Sequence, residues 1–457
     1  MKLPDHEHGG GGGGGGRRVA VVGAGIAGLG AAWLLARRHR VTLFEAGSYV
    51  GGHTNTVDVE IGGVSHPVDT GFLVFNRRTY PNLCALFELL GVKSVASDMS
   101  FGVSLADPAI EWAGSDLGTV FAQRANLLRP AFLGMLRDIL RFNRETTRMA
   151  AEGGAPDVGL GSYLAARRYG SAFRDWYLLP MAAAIWSCPT RTMLDYPLAT
   201  FVRFCHNHGL LRILDRPQWL TVEGGGRRYV QRIVSQLDDV RIATPVLGVD
   251  RRADAVWLRT PDGAERFDEV VFACHSDQSL AILGDGASDD ERRILGAVRY
   301  QPNVALLHTD AALLPRRRRV WSAWNYLAGA GRPDERPVSV SYLVNRLQPL
   351  PFDTPVIVSL NPFVEPAGDK MIRRIEYAHP VFDQGAIDAQ AALPQIQGVR
   401  RSWFAGAWTG YGFHEDGLRS AVAIAERLGV DVPWQRGSTS TDAARPGVRR
   451  DDLREAA

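Results

Sequence analysis

Lysine is close to absent from this 457-residue chain. Lys2, Lys93 and Lys370 are the only three, and arginine supplies the rest of the 52 basic side chains. Any lysine base, or water held by lysine, would have to come from those positions. Cysteine is sparse too: Cys84, Cys188, Cys205 and Cys274 stand far apart with no C-x-x-C pair. That argues against a disulfide framework or a thiolate metal site. His206-Asn207-His208, even beside His53 and His66, is too little to predict a metal. No uncharged apolar run approaches the ~18 residues of a transmembrane helix. Met1 to His8 is polar and leads into glycines rather than an apolar core, so no signal peptide is expected and the cytoplasm is the expected location. A net charge of +3 gives no field that predicts a nucleic-acid partner.

What is present begins at Arg18. The apolar run Val19-Ala20-Val21-Val22 has strand length and ends in Gly23-Ala24-Gly25-Ile26-Ala27-Gly28. A helix of small residues is predicted over Ala27–Arg38 and a second strand over Val41–Phe44, delivering Glu45. The pattern is a dinucleotide-binding unit. Gly23 permits the tight turn, Gly25 lets backbone approach a pyrophosphate, and Gly28 lets helix lie close on strand. Ile26 and Ala27 open the helix, whose N–H groups and dipole favour phosphate. Glu45 is placed to hold ribose hydroxyls. Gly51-Gly52-His53-Thr54 follows, with a glycine pair able to reach a second side of the pyrophosphate.

A complementary motif lies near the other end. Phe404-Ala405-Gly406-Ala407-Trp408 reads as a buried strand running into a glycine loop. Asp416 is expected to N-cap a helix over Gly417–Leu428, with Gly429 as its C-cap glycine. The start of such a helix can stabilise negative charge on a reduced flavin ring.

At these residues the chain resembles the flavin-containing amine oxidase superfamily over about 17–435, and within it bacterial NAD/FAD-binding oxidoreductases linked to fatty-acid modification. The resemblance implies an α/β architecture: a glutathione-reductase-type FAD-binding Rossmann domain interleaved with an α+β substrate domain. The FAD domain would be residues 17–78, 216–275 and 395–435, and the substrate domain 79–215 and 276–394. Residues 1–16 and 436–457 read as disordered tails. The cofactor would be FAD. By position, Val246 would hold adenine through its backbone, Glu45 the ribose, and Gly23, Gly25 and Gly28 the pyrophosphate. Gly406, Ala407, Gly417 and Leu418 would contact the flavin. Two positions depart from the family: His53 stands where an arginine is common, and Trp408 where many members carry an acid.

Amine-oxidising relatives often place a lysine near flavin N5, but the corresponding stretch, Tyr300 to His308, has none. That weakens amine oxidation and leaves Tyr300 and Asn303 as candidate catalytic groups. His414 stands near the position of a family tyrosine over the flavin. It is either a proton donor or acceptor beside N5, or a residue that shapes the turn. Trp321, Trp324, Asn325, Tyr326, Tyr342 and Asn345 form an aromatic and polar cluster on predicted strands. Alternation would aim Trp324, Tyr326 and Tyr342 at one face, as a cavity floor or as ordinary core. Asp69-Thr70-Gly71-Phe72 is expected to turn the chain behind the flavin domain.

Leu128, Phe132, Met135, Ile139 and Phe142 recur at helical spacing, with Arg137, Arg141, Arg144 and Arg148 nearly opposite. The 128–148 helix either touches an anionic membrane peripherally or packs its apolar stripe and leaves arginine in water. Arg316-Arg317-Arg318-Arg319 adds to the membrane reading or is a solvated loop. The expected activity is hydride transfer from a substrate C–H bond to flavin N5, on an unsaturated or methylated fatty-acyl lipid. The alternatives are an amine or amino-acid oxidase, a non-catalytic flavin-binding partner of a lipid-modifying methyltransferase, and a protein with NAD as its sole cofactor. The sequence leaves the oligomeric state open.

Overall fold

A computed structural model describes residues 16–435 except Gly153, 187–192, 212–216 and 332–336. Cys188 and the expected tails, Gly16 apart, lie outside the described residues. The run Arg18–Val22 forms the central strand of a five-stranded sheet. Arg40–Phe44 and Glu269–Phe272 flank it, and Asp239–Arg241 and Ser402–Phe404 complete the edges, all parallel. Continuous apolar strands suit a sheet covered on both faces. Alternation divides its two cores: Val19 and Val21 pack toward the helix Ile26–Leu35, while Ala20 and Val22 pack toward Val256, Leu258 and Phe267. All ten residues of that helix are buried. The helix His414–Arg427 crosses it where Gly30 makes room; a Cβ there would lie 2.5 Å from Leu418 Cδ1.

A second sheet of seven strands runs in the order Met371–Val381, Arg299–His308, Ile357–Leu360, Val338–Leu343, Trp324–Ala328, Phe101–Leu105 and Ile110–Ala113. Its neighbours are antiparallel, except that Trp324–Ala328 runs parallel to Phe101–Leu105. That parallel pair stitches the two long excursions of the chain into one unit. The helices Pro130–Glu152, Leu179–Trp186 and Leu198–Asn207 share its core.

Packing shifts the expected domain boundaries. The helix Pro81–Leu90 buries Leu83, Leu86, Phe87 and Leu90 in the nucleotide-side core, although residues 79–215 were expected with the substrate. The helices Ser276–Leu283, Asp289–Gly296 and Gln384–Ala392 likewise pack toward Val22 and Phe272. In the other direction, Val57, Val59 and Val68 of the hairpin Thr56–Asp69 join the substrate-side core. Each segment follows its apolar face, not its place in the chain.

The long helix starts at Pro130, whose missing N–H costs nothing in a first turn. Phe132, Met135 and Phe142 are buried as expected, but Leu128 precedes the helix and is 88% exposed. Among the described residues no helix is long and apolar enough to cross a membrane.

Candidate cofactor cleft and active site

A cavity of about 720 Å³ runs between the two sheets. One end is built by the glycine turn. Gly23 adopts φ +100°, a left-handed backbone that a side chain would strain. A Cβ on Gly28 would meet Gly23 O at 1.7 Å, whereas a Cβ on Gly25 would meet nothing within 4 Å. Gly28 is therefore packing, and Gly25 faces open space. Gly25 caps the helix without any side-chain bond, leaving first-turn N–H groups for a ligand. Glu45 turns into the same end: its Oε2 accepts from Ala24 N at 2.8 Å and its Oε1 from Gly47 N at 2.7 Å. Gly51, also at positive φ, donates its N–H to Ala24 O, and Gly52 abuts Gly25. Gly23, Gly25, Ile26, Ala27, Glu45, Gly51, Gly52, His53 and Val246 all line the cavity.

The C-terminal motif closes it from the other side. Gly406, Ala407, Trp408 and His414 line the wall. Gly417 and Leu418 do not; Leu418 is buried beneath, and a Cβ on Gly417 would press on Ile26 Cγ2 at 3.0 Å. They set the crossing of two helices. Asp416 is not the N-cap. It lies inside the helix, and its carboxylate reaches back to accept from Tyr411 N at 3.0 Å and Phe413 N at 3.1 Å. Asp416 is instead the residue three places past the cap, where an acid reaches back to the N–H of the cap residue rather than forward to those of the first turn.

His414 stacks on Phe72 with ring centroids 3.8 Å apart, and its Nε2 bonds Thr54 Oγ1 at 2.9 Å. Thr54 in turn bonds Tyr229, so Thr54 is a brace behind the wall rather than part of it. Burial drives the His414 imidazole down to about 3, so it is neutral at ordinary pH. Tyr300 lines the cavity, stacks on His275 and accepts from Ser276 N at 2.9 Å.

Trp324 and Tyr342 meet edge to face, 4.8 Å apart, and both line the cavity. Tyr326 is fully buried and does not reach the wall. Trp321 packs with Leu314, Leu343 and Ile357, Asn325 is held by Ser322 and Ser341, and Asn345 clamps a loop through Phe352 O and Thr354 O. These four are structural. Asn303 also stands behind the wall, bonded to His379 and Asn361.

Sequence reasoning treated Asp69 to Phe72 as a turn behind the domain, yet Thr70, Gly71 and Phe72 form cavity wall. Asp69 is the joint below them: it accepts from Gly226 N at 2.9 Å and Gln348 Nε2 at 2.9 Å, and burial raises its carboxyl to about 6. The cluster of His53, Tyr377 and His379 was also missed. His53 stacks on Tyr377 at 4.7 Å and lies 5.0 Å from His379. Strand alternation puts Tyr377 and His379 on one face, but only the fold brings His53 to them.

Among the described residues, four buried nitrogens of lining residues have no hydrogen-bond partner: His53 Nε2, Trp186 Nε1, Trp324 Nε1 and Trp408 Nε1. A bound molecule can pair them. Together with the open space at Gly25 and the Glu45 carboxylate, they fit an elongated dinucleotide running from glycine turn to C-terminal loop.

The comparisons agree with that geometry. Residues 21–90 match the family model of the NAD(P)-binding Rossmann-like domain. The chain is 28% identical over 346 residues to the flavin-containing monoamine oxidase AofH of Mycobacterium tuberculosis, covering 72% of this chain and 70% of that one. It is 35% identical over 325 residues to the carotenoid phi-ring synthase of Streptomyces griseus, covering 65% and 59%. The fold superposes on the CLA-producing fatty acid isomerase from P. acnes with TM-score 0.62 at 15% identity, over 90% of this chain and 98% of that one. The glycine turn, the acid after the second strand and the C-terminal loop converge on one cleft, and in this arrangement the chain is similar to flavin-containing amine oxidases.

Proposed function

We propose that this enzyme oxidises, desaturates or isomerises an unsaturated or methylated fatty-acyl lipid. The supporting observation is the chemistry of the cavity wall. Among the described lining residues Glu45 is the only charged side chain, and its oxygens are committed to the glycine-turn end. Lys93 is exposed and Lys370 pairs with Asp310 at 3.0 Å, so neither reaches the cavity. A cationic amine entering this space would be desolvated without a counter-ion, which is costly. An apolar chain gains from the same burial. Ile185, Phe204, Trp324, Val358 and Leu360 supply the apolar surface. The names of the phi-ring synthase and the fatty acid isomerase point toward lipid-like substrates; that of AofH points toward amines.

FAD, when bound, supplies a hydride acceptor for a substrate C–H bond. The glycine turn and Glu45 would hold its pyrophosphate and ribose, and the wall from Gly406 to His414 would border its ring. The remaining residues orient the chain, exclude water and keep the imidazoles neutral. Anaerobic incubation of the yellow protein with acyl lipids should bleach the flavin absorbance. Bleaching by amines but not by lipids would overturn this reading in favour of an amine oxidase. Retained flavin that no substrate reduces would favour the non-catalytic partner.

A second observation supports lipid delivery. Leu133, Arg137, Leu140 and Arg144 lie on one face of the helix Pro130–Glu152; both leucines are exposed, as are Leu127 and Leu128 just before it. Exposed leucines ringed by arginine match the chemistry of an anionic bilayer surface. Arg317, by contrast, is pinned to the buried Glu111 at 2.7 Å, so the four-arginine run is an anchored loop.

A further inference from the structure

The strand Met371–Val381 presents His379 to the cavity, and its neighbour Arg299–His308 places Asn303 behind it. Val304 N donates to Asn361 Oδ1 at 2.8 Å. A backbone N–H can only donate, so this one contact orients the whole chain of amides. Asn361 must turn its Nδ2 toward Asn303, donating to Oδ1 at 2.6 Å. Asn303 must then point its own Nδ2 the other way, donating to Gln301 O at 3.0 Å and to His379 Nδ1 at 2.8 Å. A nitrogen that accepts carries no hydrogen. The single imidazole hydrogen therefore sits on Nε2.

A second proton would have to enter between Nδ1 and an amide N–H, so the ring is locked in its neutral form. The groups around it reinforce this. His53 and Tyr377 face it from the glycine-pair turn and from its own strand. Burial, followed by His275, lowers its pKa to about 4. No carboxylate is among the described cavity residues on this side.

We propose that His379 is a fixed neutral N–H donor for the carbonyl oxygen of the bound acyl substrate, with Asn303 and Asn361 as positioning residues that set its tautomer. Beside it, the unpartnered His53 Nε2 is a second polar atom on the same wall. The assignment of the oxygen rests on the acyl-lipid reading; the tautomer does not.

Two measurements on the FAD-loaded protein separate these parts. Imidazole nitrogen NMR, with His379 identified by its loss in His379→Phe, should show Nδ1 unprotonated and the ring neutral from pH 8.5 to 5.5. A proton on Nδ1, or an imidazolium in that range, overturns the proposal. Ligand binding is read from the flavin spectrum with methyl oleate and with cis-9-octadecene, which lacks the carbonyl. Asn303→Asp keeps the bond from Asn361 but puts an acceptor opposite Nδ1, moving the hydrogen there and leaving Nε2 bare. Methyl oleate should then bind about tenfold more weakly at pH 8.5 and recover toward acid as the ring becomes cationic. The hydrocarbon should be unaffected, and native binding should stay flat with pH. Equal weakening for both ligands, or native affinity in Asn303→Asp at pH 8.5, overturns the donor role. If the native protein binds the hydrocarbon no differently from the ester, or binds neither, the acyl-carbonyl assignment falls while the NMR result stands on its own.

Discussion

Gly25 and Gly28 are three residues apart and do opposite things. A side chain on Gly28 collides with Gly23 O, so Gly28→Ala should destabilise the fold by about 3 kcal/mol, read as a lowered thermal midpoint. Gly25 has room for a side chain, so Gly25→Val should leave the midpoint of the FAD-free protein within about 0.5 kcal/mol of native. Both roles are readable from the chain because the motif's spacing dictates them. Glu45, too, could be found by its place after the second strand. His379, Asn361 and Asp69 could not. His379 and Asn361 meet Asn303 across 76 and 58 positions, and Asp69 meets Gly226 across 157, separations at which no local pattern links them. His414 was found by its proximity to the C-terminal motif, but its neutrality follows from burial that only packing reveals.

At the scale of elements, strands and helices with a strong period were legible, including the first two strands of the nucleotide unit, Arg18–Val22 and Arg40–Phe44, and the stripe Phe132, Met135, Phe142. Ends were less so: Leu128 fits the stripe's spacing but falls before the proline that starts the helix. The exposed face of that helix gives a test. The protein should float with vesicles rich in phosphatidylglycerol and not with neutral phosphatidylcholine vesicles at the same salt. Leu133→Glu with Leu140→Glu should abolish flotation without changing the thermal midpoint, since both side chains are exposed. Undiminished flotation of that variant would remove the helix from the lipid account.

For the whole molecule, the seven-stranded sheet was the least legible feature. Trp324–Ala328 pairs with Phe101–Leu105 across more than two hundred residues, and loop closure over that distance leaves no mark in composition. The cavity's titration is likewise a property of the assembled fold. His53, His379 and His414 all have lowered pKa values in the folded state, chiefly from burial. The unfolded chain takes up protons near the usual 6.5, so their stabilising contribution is full above that pH and is lost as pH falls toward 4 and 3. Asp69 runs the other way. Its carboxyl is raised by burial from 3.8 to about 6, so its contribution is full below 3.8 and is lost as pH rises through 6. The FAD-free protein should therefore lose thermal stability between pH 7 and pH 4.5. The midpoint difference between native protein and Asp69→Asn should be larger at pH 5 than at pH 7.5. A difference that grew with pH would contradict the assignment at Asp69.

The most direct check of the account is the flavin content of the purified chain, measured by visible absorbance beside Gly25→Val. One FAD per chain in the native protein, and almost none in a Gly25→Val variant of native stability, is the expected result. Colourless protein that takes up no added FAD, or full occupancy in the variant, would contradict it.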